Sequence, residues 1–118
     1  MFRTLILAIS TALLADPTPA QTGKRQYEAR YVGCHGEDGL GGGHGPAIAG
    51  IARPRTTSKS EVIDVIRKGI PDRGMPAFQV SVEEANALAD YVMSLKARAK
   101  AASMERPDGN GRWIDFLR

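Results

Sequence analysis

Two helix-start signals set the limits on how this chain can fold. Ser58 with Glu61, and Ser81 with Glu84, each put a hydroxyl and a carboxylate three residues apart, just ahead of an amphipathic run. Such a pair is a capping box, which satisfies free backbone N–H groups at a helix start reciprocally. The first predicts a helix from about Lys59 to Lys68, with Val62, Val65 and Ile66 as its buried stripe and Gly69 as its stop. The second predicts a helix from about Val82 to Ala101, striped by Ala85, Leu88, Val92 and Leu95, with Tyr91 at the margin. A further helix is expected from Thr22, as its cap, to Cys34, because Tyr27, Tyr31 and Cys34 recur at about helical spacing. Nothing alternates with period two over a useful length, so no sheet is expected and the fold class is all-α.

Two irregular stretches separate these helices. Gly36 to Gly50 holds seven glycines. Gly69 to Val80 contains Ile70-Pro71, Gly74, Met75-Pro76 and Phe78. Long loops in a compact domain are where function concentrates. Aromatic residues are only 6% of the chain, so its apolar core is thin and another source of stability is expected. A single cysteine excludes an internal disulfide and a four-cysteine zinc site. The net charge is +3. The basic residues between Arg53 and Arg73 lack interleaved aromatics, which excludes a nucleic-acid surface. They leave a mild basic face towards solvent or towards an acidic protein partner.

Residues 1–20 read as a secretory signal. Arg3 supplies a positive start, Leu5 to Ala15 is almost continuously apolar, and Thr18-Pro19-Ala20 offers the small residues that a leader peptidase reads. Cleavage is expected after Ala20, with Ala15 as the second choice. The run is apolar all round rather than two-faced, which opposes an anchor lying on a surface. The expected organisation is a leader (1–20), a domain (21–102) and a C-terminal extension (103–118) ending in Trp113, Ile114, Phe116 and Leu117. The destination is the periplasm, with no stable membrane anchor after cleavage and a monomeric product.

The segment Arg30-Tyr31-Val32-Gly33-Cys34-His35-Gly36 carries the chemistry. It looks like a c-type haem attachment site, Cys-x-x-Cys-His, with Tyr31 at the position of the first cysteine. Cys34 and His35 keep the second thioether and the proximal iron ligand, while Tyr31 cannot form the first thioether. A low-spin haem needs a second axial ligand, and Met75 in Gly74-Met75-Pro76-Ala77-Phe78 lies on an irregular loop from which its sulfur can turn inward. The glycines after His35 allow close approach of backbone to a ring. Pro46, eleven residues after His35, is the candidate carbonyl for the histidine's other nitrogen.

From about Thr22 to Leu95 the sequence resembles class I cytochromes c. The residues that carry the likeness are Gly23 and Tyr27, the Cys34-His35 pair, Gly45-Pro46, the Gly-Met-Pro loop and the last helix from Val82 to Val92. Gly36-Glu37-Asp38-Gly39, Gly41-Gly42-Gly43 and Gly74 to Phe78 look most like the small cytochromes encoded beside dissimilatory nitrite reductase. The resemblance implies a cytochrome c fold, about three to four helices around one haem with Gly/Pro-rich loops. It implies one haem c per chain, here with a single thioether at Cys34, and His35 and Met75 as iron ligands. It implies a one-electron carrier rather than an enzyme, exchanging electrons with redox proteins, a periplasmic nitrite reductase among them. Phe78 is expected to pack on the ring, and Arg53 and Arg55 to meet a propionate or solvent.

Tyr31 leaves several arrangements open. Haem can be held by one thioether and two axial ligands, held with no covalent link, or lost from an attachment-defective chain. Tyr31 as an iron ligand is chemically conceivable but lies beside the wrong edge. A haem-binding assembly factor for a periplasmic reductase is the alternative to a carrier. Cys34, His35, His44 and Met75 also supply the ligand types of a blue-copper centre, but the helical pattern opposes that scaffold. His44 is expected in solvent, Met93 in the core and Met104 exposed.

Overall fold

The computed structural model describes residues 14–105. The expected signal core falls largely on residues 1–13 and the aromatic end of the extension on 106–118, both outside the described residues. The described chain is helical: α1 (Pro19–Arg30), α2 (Val32–His35), α3 (Lys59–Lys68), a single 3-10 turn (Pro71–Arg73) and α4 (Val82–Met104). Among the described residues the only β pairing is one isolated bridge, Ile70 to Met75. The all-α class is therefore what the patterning predicts.

Both predicted capping boxes form. Ser58 Oγ accepts from the Glu61 N–H at 3.3 Å, and Glu61 accepts in return from Ser58 N–H at 3.0 Å. The Thr57 N–H and hydroxyl, together with the Ser58 N–H, donate to the Glu61 carboxyl and hold it below the ordinary carboxylate range. Ser81 and Glu84 exchange the equivalent pair at 3.0 Å each. The first helix departs from expectation at both ends. It starts before Thr22, because Thr18 and Gln21 form an unforeseen capping box and Pro19 takes the first helical position. Ala20, the expected cleavage point, thus lies in the first turn of α1. The helix also stops at Arg30 instead of running to Cys34. Tyr31 takes φ −119°, ψ −24° and separates α1 from the short α2.

α1 and α4 cross in backbone contact. A methyl group at Gly23 would collide with the Ala87 carbonyl oxygen and crowd Tyr91 Cβ, so only glycine fits. Tyr27, one turn on, is fully buried and donates its hydroxyl to the Gly36 carbonyl at 2.7 Å. α3 lays Val62 and Ile66 on α4, whose Leu88, Val92 and Leu95 complete the core. Full burial of Leu88 or Leu95 stabilises by about 1.5–3 kcal/mol each relative to exposure.

Backbone hydrogen bonds tie the two irregular stretches to these helices. Gly36 ends α2 at φ +79°, a conformation that favours glycine. Gly41 N–H then returns to the His35 carbonyl at 2.8 Å, and Ile48 and Ala49 N–H both reach the Gly39 carbonyl. In the second stretch Ile70 and Met75 exchange two backbone bonds, at 2.8 and 3.2 Å, around the 3-10 turn. Phe78 N–H bonds the Ile66 carbonyl at 3.0 Å, docking the return segment on α3.

Candidate functional site

A cavity of about 300 Å³ lies between the helices and the two irregular stretches. α3 contributes Val62, Val65 and Ile66, and α4 contributes Leu88 and Val92. His35, Pro46 and Met75, all singled out from the sequence, line it together. His35 arrives at the end of α2 and is 7% exposed. Its Nδ1 lies 2.7 Å from the Pro46 carbonyl. A carbonyl only accepts, so Nδ1 carries the proton, and in the neutral ring Nε2 keeps a free lone pair. That is the tautomer and orientation of a metal-binding imidazole whose outer nitrogen is held. Met75 is half-buried, and its loop is fixed through both of its backbone groups by Ile70.

Tyr31 is also on the cavity wall, 6% exposed, and clamped by three rings. Tyr27 stacks on it at 6.0 Å between centroids, His35 at 6.4 Å, and Phe78 tilts against it at 5.1 Å. Burial pushes its phenol up to about 12. Burial, followed by the influence of Tyr91 and Asp38, does the same for Tyr27. Phe78 is not itself on the wall. It backs Tyr31 from behind, with the Arg30 guanidinium 5.8 Å over its own ring. Cys34 is exposed and its side chain is not among those lining the cavity. His44 is exposed and away from the cavity, Met93 packs at the edge of the core, and Met104 is exposed.

Among the described residues, those lining the cavity include cations and no carboxylate. Arg53 and Arg55 line it, joined by Arg73, expected only as part of a mild basic face, and by Lys96, for which no role was expected. Lys96 Nζ donates to the Thr56 carbonyl at 2.9 Å, and partial burial lowers its basicity. A signal for Lys96 was present: it continues the row Leu88, Val92 on α4 at a spacing of four. Arg73, on the 3-10 turn, carried none.

These elements fit a haem. The walls are largely apolar, His35 and Met75 line one cavity from separate chain segments, and cations suit carboxylate substituents. Helices crossing around such a cavity suit a c-type cytochrome. Residues 18–92 match the family described as cytochrome c oxidase, cbb3-type, subunit III, and the chain belongs to that family. No curated protein and no solved structure matches it. Membership supports haem-based electron transfer with redox partner proteins, rather than catalysis, and implies covalently bound haem c. Cytochrome c domains generally work outside the cytoplasm, and no helix among the described residues is long and apolar enough to cross a membrane.

Proposed function

We propose that this chain is a periplasmic one-electron carrier, monomeric, holding one haem c between His35 and Met75. The observation that carries the reading is the shared cavity of these two side chains, with His35 oriented by the Pro46 carbonyl. When bound, the haem supplies the electron-accepting and electron-donating centre. The chain's residues do the rest. His35 presents Nε2 while its Nδ1 proton rests on Pro46, and Met75 offers a soft sulfur that favours the reduced form and raises the potential. Val62, Ile66, Leu88 and Val92 exclude water, and Arg53, Arg55, Arg73 and Lys96 balance carboxylates.

Cys34 would supply the single thioether, its S–H adding across one vinyl group of the haem, since Tyr31 has no thiol to offer. The glycine-rich opening after His35 and the Gly74 to Phe78 loop support a nitrite reductase as partner, by their likeness to the small cytochromes encoded beside that enzyme. The exposure of Cys34 favours a second reading, in which His35 and Met75 hold the haem with no covalent bond. The test is a pyridine haemochrome spectrum of periplasmic material with the intact mass before and after acid–acetone extraction. One thioether gives an intermediate band and a mass that keeps the haem. Loss of haem on extraction selects the second reading, and absence of any haem overturns both.

A further inference from the structure

We propose that the C-terminal tail of this chain docks on its own domain, with Trp113, Phe116 and Leu117 covering an apolar patch made by Leu40, Gly50, Ile51 and Ala99. The proposal does not rest on the haem reading. The patch is contiguous: the position that a Cβ on Gly50 would take lies 3.0 Å from Leu40 Cδ2 and 3.7 Å from Ala99 Cβ, so the glycine-rich loop and α4 meet there. Yet Leu40 is 58% exposed, and Ile51, next to Gly50 in the chain, is 40% exposed. Single exposed apolar residues are ordinary, but apolar side chains gathered in one place mark a surface that something covers. Ala99 continues the row Leu88, Val92 and Leu95 of α4 and is only partly buried. The helix thus carries its apolar face beyond the elements that pack on it.

The chain supplies a cover of the right chemistry and length. Residues 106–118 follow α4 and hold Trp113, Ile114, Phe116 and Leu117, four large apolar side chains within five residues. Trp113, Phe116 and Leu117 stand at i, i+3 and i+4, the spacing of one face of a helical turn. Between them and α4 lies Pro107-Asp108-Gly109-Asn110-Gly111, turn chemistry that can reverse the chain. Ala99 lies about 9 Å back along the helix axis from Glu105. The residues from Glu105 to Trp113 reach about 26 Å when extended, so the return is well within their span. Apart, the tail and the patch both hold apolar surface in water; together they bury it.

Trp113 is the chain's one tryptophan, so its fluorescence reports the tail alone. The full chain, shown folded by its helical circular dichroism, is compared with Leu40→Glu for emission maximum and for hydrogen exchange of residues 112–118. A second variant, Phe116→Ser with Leu117→Ser, leaves every core residue in place and keeps the test decisive should Leu40→Glu not accumulate. Wild type is expected to show blue-shifted emission, and each variant a red shift with exchange about ten-fold faster or more. Wild-type emission and exchange equal to those of the urea-unfolded chain overturn the proposal and leave the patch to a redox partner. Protection that disappears on dilution assigns the tail to a second copy and overturns it too, as does protection that the variants leave unchanged. A folded chain without haem would overturn the haem reading while every one of these outcomes stays readable, so the two fail separately.

Discussion

The Pro46 carbonyl lies 2.7 Å from Nδ1 of His35, fixing a buried imidazole from a loop eleven residues further along the chain. The acceptor is backbone, so its position depends on the path of the whole 36–50 loop. That path is set by Gly41 returning to the His35 carbonyl and by Ile48 and Ala49 converging on Gly39. The glycine-rich stretch is thus an outer bracket for one side chain.

If His35 and Met75 are the two axial ligands, they fail differently. His35→Ala removes an oriented, held imidazole, and loss of the low-spin spectrum is expected, with haem retained only as far as Cys34 holds it covalently. Met75→Ala leaves the imidazole in place and opens one position. Rapid carbon monoxide binding to the reduced variant, absent from wild type, is the expected result in a stopped-flow spectrum.

The crossing of α1 on α4 has no room for a side chain at Gly23. Gly23→Ala meets the Ala87 carbonyl, a backbone group that can yield only by moving the helix. A destabilisation of about 1–3 kcal/mol is expected from overpacking alone. A lower denaturant midpoint, with the haem spectrum of the folded fraction unchanged, checks it.

Tyr27→Phe removes the bond that joins α1 to the loop at Gly36. The ring and its packing stay, so the expected cost is that of one hydrogen bond, about 0.5–1.5 kcal/mol. Tyr27→Leu adds the loss of ring contacts with Tyr31 and Tyr91 and should cost clearly more. Equilibrium unfolding of the two variants separates the bond from the stack.

Alkali should weaken the fold through its buried phenols. Tyr27 and Tyr31 are raised from about 10 to about 12 by burial, so between those values the folded state binds protons that the unfolded state has released. Their contribution to stability is full below pH of about 10 and is lost as pH rises towards about 12. Denaturant midpoints measured across that window should fall. Tyr31→Phe should fall less steeply, because one of the two groups is gone.

The helices that begin with a serine and a carboxylate were legible because their caps are local: Ser58 with Glu61 and Ser81 with Glu84 need nothing from the rest of the fold. Thr18 with Gln21 is the same device, hidden because Thr18-Pro19-Ala20 also reads as a cleavage motif. The break at Tyr31 was not legible, since spacing alone continues through it. It follows from tertiary demands, the clamping of that ring and the turn of His35 towards Pro46. His35, Pro46 and Met75 could be picked out because their residue types and separations are chemically particular. Arg73 could not, because it reaches the cavity only through the loop's path.

The pair of backbone bonds between Ile70 and Met75 closes a small loop whose tip is the 3-10 turn. Asp72 is a bystander to the sulfur, whereas Gly74, at φ +78°, holds a conformation that favours glycine and Arg73 lines the cavity. Adding or deleting one residue would slip the clasp by a position and turn Met75 off the cavity, so in this segment the count is held as firmly as any of the letters.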